Sequence, residues 1–219
     1  MIGAISQVTS LPITTAVTCP LQRLHPVIVA HAAATSALLT HGRFRLGVGT
    51  GEALNEHITG GTWPSADERL EMLEEAALLM RELLTGQQVT RKGKYYAVET
   101  ARLYSVPHEP PPIYMSGFGE KAISVAGRIG DGYMTVQPSA EFVRAFREAG
   151  GAGKPAQGGL KVCWGPDADA ARKTMQPRHG LPCAKCRGSG VYIGQVGQDQ
   201  EGFFEFYARE VLPRLRSEG

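Results

Sequence analysis

Short apolar runs alternate with longer segments of helical periodicity along this chain. Runs rich in apolar and β-branched residues, several of them bounded by glycine or proline, predict strands at residues 13–19, 44–50, 113–116, 133–137, 160–164 and 191–194. Apolar residues that recur every three or four positions predict helices at residues 26–40, 65–86, 120–129, 140–149 and 167–175, with a last helix after residue 199. Repeated βα units of this kind indicate an α/β fold with a parallel sheet covered by helices.

The most regular helix follows Ser65. Ser65 and Glu68 have the spacing of a capping box, in which each residue's side chain accepts a backbone N–H of the other. Residues 89–106 alternate only in places and predict a small hairpin outside the main sheet. Residues 150–159 predict a glycine-rich loop, and residues 176–190 predict an irregular junction because they show no periodicity. We expect residues 1–219 to form a single domain.

One predicted strand runs directly into a polar loop at residues 47–56. Gly47, Gly49 and Gly51 lack a Cβ, so a flat or bulky group could approach the backbone there. Glu52 is the first ionisable residue after the strand, at the edge where parallel α/β sheets bind ligands. A plain tight turn with a solvated glutamate is equally compatible with this pattern. The motif lacks the ending of a phosphate loop and the glycine spacing of a dinucleotide fingerprint.

The composition excludes several classes of protein. The chain is 42% hydrophobic and 20% charged with a net charge of +2, which is typical of one globular domain with a core. The chain contains no long basic run that would indicate a nucleic-acid partner. No apolar stretch reaches the roughly 18 residues of a membrane span. No signal-peptide core follows Met1, so a cytoplasmic protein is expected.

Several separated motifs resemble the F420-dependent glucose-6-phosphate dehydrogenase group of the luciferase-like flavin- and deazaflavin-dependent oxidoreductases. Besides residues 47–56, they are residues 17–20, 63–64 with Arg69, 116–119, 126–132 and 199–215. The resemblance covers about residues 1–176 and 190–217 and implies a (β/α)8 TIM barrel. Six predicted strands and a length below the typical value of about 250 residues indicate an incomplete barrel. We expect the first two strands to be missing and the junction to be shortened.

The resemblance implies hydride transfer between coenzyme F420, rather than FMN, and a small-molecule substrate. It assigns acid/base chemistry beside the deazaflavin ring to Glu52. The implied cofactor-binding residues are Ala16, Val17, Cys19, Thr50, Gly51, Asn55, Phe118, Gly119, Lys121 and Ala122. Within this set Val17 would support the ring from a bulge, and residues 118–122 would hold the cofactor phosphate. Helix N-termini bind anions in this way.

Three departures from the family pattern affect the expected substrate. The family's cofactor-stacking and proton-donating His and Trp lie on strand ends that precede the region where Met1 begins. Its sugar-phosphate-binding basic residues lie in the shortened junction, and Val136 and Ser139 stand where the sugar-phosphate enzymes have Thr and Lys. Because a phosphosugar needs cationic donors, we expect a substrate other than glucose-6-phosphate. We expect a homodimer without nucleic-acid or membrane partners; the alternative is a catalytically incomplete fragment or pseudoenzyme.

Cys183 and Cys186 form one Cys-x-x-Cys pair, which supplies half of a zinc site. His179 and Cys163 have unconvincing spacing for the other two ligands. We therefore expect no metal site, with a metal-binding module or a redox dithiol as the weaker alternatives.

Overall fold

The computed structural model describes residues 1–136, 139–175 and 190–217. These residues belong to two compact units. The first unit comprises Met1–Thr135 and Glu141–Ala156, and the second comprises Val136–Ala140 and the chain from Gln157 onward. The predicted junction and the Cys183/Cys186 pair lie outside the described residues.

The described strands are β1 (Ile13–Thr14), β2 (Phe44–Val48), β3 (Val89–Lys92), β4 (Ala97–Ala101), β5 (Ile113–Ser116), β6 (Gly132–Thr135), β7 (Ala156–Val162) and β8 (Gly190–Gln195). The helices are α1 (Ile2–Ser6), α2 (Pro26–Leu39), α3 (Ala53–Glu56), α4 (Ala66–Leu84), α5 (Glu120–Ile129), α6 (Ala140–Phe146), α7 (Ala168–Met175), α8 (Gln200–Phe206) and α9 (Leu212–Ser217). A 3-10 turn covers His57–Thr59, and π-helical turns cover Arg147–Gly151 and Tyr207–Val211.

In the first unit, β1, β2, β5 and β6 pair in that order, and every pair is parallel. Every residue of β6 is buried, as is every residue of β2 except Arg45. Buried faces of α2 and α4 complete the core, which includes Val29, Ala33, Leu73 and Met80. Strands covered by helices in this way confirm the predicted α/β class with parallel strands.

The capping box of α4 is confirmed. The Ser65 hydroxyl accepts a hydrogen bond from the Glu68 N–H at 3.2 Å, and Glu68 Oε2 accepts one from the Ser65 N–H at 2.9 Å. The predicted hairpin is also confirmed, because β3 and β4 pair antiparallel as a separate two-stranded sheet. The Glu75 carboxylate on α4 binds three consecutive backbone N–H groups of the hairpin turn, those of residues 94–96.

The prediction of one buried strand across residues 13–19 is wrong after Thr14. The Thr15 hydroxyl donates to the Gly47 carbonyl at 3.0 Å and accepts from the Gly47 N–H at 2.9 Å, so a side chain binds the Gly47 N–H. Residues 16 and 17 then leave the sheet as an exposed bulge, with a cis Ala16–Val17 peptide. Pairing resumes where Thr18 forms a parallel bridge with Val48.

In the second unit, β7 and β8 pair in parallel from Gln157 with Gly190 to Val162 with Gln195. The predicted loop at residues 150–159 is therefore wrong at its end, since β7 begins at Ala156. Glycine suits the strand at position 159 because the Tyr192 ring occupies the space that a Cβ would need. The Asp199 carboxylate caps α8 by accepting from the Gly202 N–H at 2.9 Å, at the start of the predicted last helix.

Candidate functional site

The predicted site residues follow the carboxyl ends of β1, β2 and β5 in the first unit. Parallel strands end at a common edge of the sheet, and the structure brings parts of the three ends into contact there. A Cβ built on Gly49 would lie 2.8 Å from Val17 Cγ2 and 3.7 Å from Ser116 Cβ. The loop after β1 thus packs against the loop after β2, and the end of β5 lies beside both.

The alternating glycines of this edge make room for the protein's own chain. A Cβ on Gly47 would overlap the Thr15 carbonyl oxygen, and a Cβ on Gly51 would lie 2.7 Å from Cys19 Sγ. The group that approaches the glycines is therefore the segment at residues 15–19, with Val17 opposite Gly49. This corrects the expectation that a flat ligand could contact these glycines directly.

The outer surface of this edge carries the remaining predicted residues of the two loops. Ala16 and Val17 are exposed, the latter to 41%, and Thr50 and Gly51 are half-buried. Glu52 and Asn55 are exposed, and Glu52 occupies the N-cap position of α3 without a side-chain capping bond. The Glu52 carboxylate has no hydrogen-bond partner among the described residues, so it is available to a ligand.

Beneath the loop lies an ion pair that the motif alone did not single out. Arg23 Nε and Nη2 both donate to Glu56 Oε1, at 3.3 and 3.1 Å. The Glu56 side chain is only 2% exposed, whereas that of Arg23 is 39% exposed. The carboxylate four residues after Glu52 was visible in the sequence, but nothing marked Arg23 as its partner, 33 positions away.

Cys19 lies under the same loop, and its thiol is buried. Burial, and then the negative charge of Glu56, raise the pKa of this thiol to about 11. Cys19 is therefore a protonated thiol at neutral pH, and it supports Gly51 by packing. Cys19 is thus buried, unlike the exposed residues of the predicted cofactor-binding set.

The start of α5 is compatible with an anionic group. Gly119 is the N-cap of α5 without a side-chain capping bond, and no atom lies within 4 Å of the position of a Cβ there. The N–H groups of the first helical turn have no partner within a helix, and the helix dipole favours negative charge at this end. Phe118 beside it is exposed, and Ala122 is half-buried with its methyl group packed towards Gly117.

The Lys121 ammonium bonds both carboxylate oxygens of Asp67 at 2.8 Å, on an exposed surface. Exposed pairs of this kind contribute little to stability, so the ammonium can exchange Asp67 for another anion. Among the described residues, no hydrogen bond links the start of α5 to Glu52 or Asn55. The structure therefore places these two groups at a common edge without direct contact.

Within the three described ranges, no group of three or more His, Cys, Asp or Glu side chains is arranged to hold a metal ion. Cys163 is described and half-buried, whereas His179 lies outside the described residues with the cysteine pair. None of the described helices combines the length and apolar character needed to cross a membrane.

Comparisons with known proteins agree with the motif resemblance. The sequence profile of the luciferase-like monooxygenase family matches residues 1–201. The chain is 46% identical over 123 residues to an F420-dependent glucose-6-phosphate dehydrogenase of Microbacterium testaceum, covering 56% of this chain and 37% of the relative. It is 42% identical over 120 residues to an F420-dependent hydroxymycolic acid dehydrogenase of Mycobacterium tuberculosis, covering 55% of this chain and 33% of that relative.

The fold is similar to that of a solved F420-dependent secondary alcohol dehydrogenase in complex with an F420–acetone adduct. The TM-score is 0.71 at 36% identity, over 79% of this chain and 56% of that chain. A coenzyme F420-dependent tetrahydromethanopterin reductase from Methanopyrus kandleri gives a TM-score of 0.68 at 22% identity, which supports the fold alone.

The chain spans little more than a third of the length of the curated relatives named above. The predicted incomplete barrel is confirmed as a fold class by the solved structures and by the six described parallel strands, four in the first unit and two in the second. The chain belongs to the luciferase-like monooxygenase family.

Proposed function

We propose that this protein is an F420-dependent oxidoreductase that transfers a hydride between the deazaflavin cofactor and a small-molecule substrate. One observation carries the proposal: an exposed carboxylate, an exposed apolar bulge and an uncapped helix N-terminus follow three adjacent parallel strands at a common edge. Relatives that share 42% and 46% identity with this chain are F420-dependent dehydrogenases. The alternative, a catalytically incomplete fragment or pseudoenzyme, is distinguished by the experiment below.

The described residues fit coenzyme F420 in chemistry. When bound, coenzyme F420 supplies a deazaflavin ring that accepts or donates a hydride. The exposed Val17 side chain offers an apolar support for a flat ring, with Ala16 beside it and Cys19 packed below Gly51. Thr50 and Asn55 offer hydrogen-bonding groups. The free N–H groups at the start of α5, with Phe118, Gly119, Lys121 and Ala122, would hold a phosphate.

Glu52 is our candidate for the acid/base residue. A general base must reach the proton that it removes within hydrogen-bond distance, and the Glu52 carboxylate is free to do so because no described residue binds it. In substrate oxidation the Glu52 carboxylate would accept the proton of the substrate hydroxyl as the C=O bond forms, and a bound deazaflavin would supply the acceptor for the hydride from the same carbon.

We propose that the substrate carries a hydroxyl group on the reacting carbon and lacks a phosphate. Three similar proteins are dehydrogenases of glucose-6-phosphate, hydroxymycolic acid and secondary alcohols, and each of these compounds has a carbon that bears a hydroxyl group. A phosphate needs cationic donors, and this chain has Val136 and Ser139 where the sugar-phosphate enzymes have Thr and Lys. A phosphate-free alcohol is the class that these residues accommodate.

Titration of the 219-residue chain with F420, followed by the cofactor's fluorescence, tests the proposal. We expect saturable binding, and reduction of bound F420 by secondary alcohols. We expect Glu52→Gln to keep the affinity and to slow reduction by about 10²–10⁴-fold, the usual contribution of an acid/base group. Glu99→Gln, at an exposed glutamate on β4, is the control and is expected to change neither quantity.

Two outcomes would refute parts of this assignment. Absence of saturable binding at high micromolar F420, in protein that melts cooperatively by circular dichroism, would support the incomplete or pseudoenzyme alternative. Unchanged reduction in Glu52→Gln would remove this residue from the reaction while leaving cofactor binding in place.

A further inference from the structure

The loop that carries Glu52 and Asn55 is held by a single buried side chain. Of the eleven residues from 52 to 62, only Glu56 is buried. The one apolar side chain of α3 besides Ala53, that of Leu54, is 77% exposed. An isolated helical turn of four residues is unstable in water, so α3 keeps its place through contacts outside itself.

Two neighbouring residues of the loop after β1 supply those contacts. Arg23 binds Glu56 as described, and the Gln22 amide donates to the Thr62 carbonyl at 3.2 Å. The other side-chain bonds of the segment are internal, from His57 to Ala53 and from Thr59 to Glu56. Among the described residues, the ion pair is therefore the only charged attachment of this loop to the rest of the first unit.

The pair is asymmetric in a way that suits an anchor. Both donors of Arg23 bind Glu56 Oε1, while Oε2 is buried and has no described partner. Removing the partner of a buried charge is costly because the remaining charge is left without compensation. The buried end belongs to the loop and the half-exposed end belongs to the neighbouring segment, so the carboxylate fixes the loop to one place.

We propose that the Arg23–Glu56 ion pair is a latch that positions Glu52 and Asn55, which makes Arg23 and Glu56 positioning residues for the reaction. This inference rests on the proposed function for its link to catalysis. Its structural part, the ordering of residues 52–62, is independent of the cofactor. When the latch is lost, the loop opens locally while the strands below it stay paired.

Hydrogen–deuterium exchange of the full chain, read by mass spectrometry, tests the latch without any cofactor. In Glu56→Ala we expect amide exchange in residues 52–62 to rise at least tenfold, while peptides from β2 and β5 stay unchanged. Glu56→Gln keeps an oxygen that accepts from Arg23 and should restore most of the protection. Glu82→Ala removes a different ion pair, between Glu82 on α4 and Arg91 on β3, and should leave exchange in residues 52–62 unchanged.

The catalytic link is read from single-turnover reduction of F420. We expect Glu56→Ala to slow hydride transfer at saturating cofactor at least tenfold, with most of the rate recovered in Glu56→Gln. If Glu56→Ala raises exchange throughout the chain, that variant has lost the fold, and Arg23→Gln then tests the latch. The Arg23 side chain is half-exposed and can be replaced without leaving a cavity. Raised exchange confined to residues 52–62 in that variant supports the latch.

Exchange in residues 52–62 that stays within twofold of the wild type in both Glu56→Ala and Arg23→Gln overturns the latch, whether or not F420 binds. Failure of the wild type to bind F420 overturns the proposed function but leaves the exchange result to stand. If exchange in residues 52–62 rises in these variants but the single-turnover rate does not change, the positioning role alone is overturned.

Discussion

Replacing Gly51 by alanine tests the close packing beneath the candidate site. Gly51 has a φ of 73°, in the left-handed region that disfavours side chains. A Cβ there would lie 2.7 Å from Cys19 Sγ and 3.2 Å from Glu56 Cγ, closer than such atoms normally approach. The substitution therefore combines a backbone cost with an overpacking cost.

A control in the same loop separates these two costs. Gly60 has the same φ of 73°, and no atom lies within 4 Å of the position of a Cβ there. Gly60→Ala should destabilise the fold by about 1 kcal/mol through the backbone alone. Gly51→Ala should add about 1–3 kcal/mol, since buried overpacking has costs of that size. We expect about 2–4 kcal/mol in total for Gly51→Ala.

The assay is urea denaturation followed by far-UV circular dichroism, with the free energy of unfolding compared at equal m-values. The double variant Gly51→Ala with Cys19→Ala removes the sulfur that the new methyl group meets. It should be more stable than the sum of the single effects predicts, because contacting residues couple. Equal destabilisation by Gly51→Ala and Gly60→Ala, within about 0.5 kcal/mol, would refute the packing argument.

Three other predictions concern the capping box and the buried thiol. Ser65→Ala should lower the free energy of unfolding by about 1 kcal/mol, measured in urea against the wild type. The Ser65 backbone and side chain lower the pKa of Glu68 below its ordinary 4.5, so the stability gap between wild type and Glu68→Ala should narrow as pH falls below 4.5; a constant gap contradicts this. Burial raises the pKa of Cys19 from 9.0 to about 11, so wild type should lose stability between those pH values relative to Cys19→Ala. Parallel pH profiles of these two proteins would contradict the burial effect.

Features that depend on local sequence could be predicted, and features that depend on distant partners could not. The capping box at Ser65 needs only residues three positions apart, and the strands around Leu46 and Ile113 are apolar because both faces are covered. The edge location of Glu52 followed from the order of strand and loop. These elements therefore match the structure closely.

The hydrophobic pattern did not predict the departure of the chain after Thr14, because a β-branched run is compatible with a continued strand; only the family resemblance implied a bulge at Val17. The chain leaves the sheet where the Thr15 hydroxyl binds Gly47, which lies 32 positions away in the sequence. The partner of Glu56 was missed for the same reason, since an arginine in a loop usually reaches solvent. Both features depend on contacts between residues that are distant in the sequence, and neither produces a periodic pattern of apolar residues.

The matched spacing of residues 15, 17 and 19 with Gly47, Gly49 and Gly51 has a consequence for how this family can vary. Both series advance by two residues, so residues 15, 17 and 19 each fill the space that a side chain would need at the glycine opposite. An insertion or deletion of one residue in either series would set side chain against side chain along the whole interface. Natural variation here should therefore consist of substitutions at constant length.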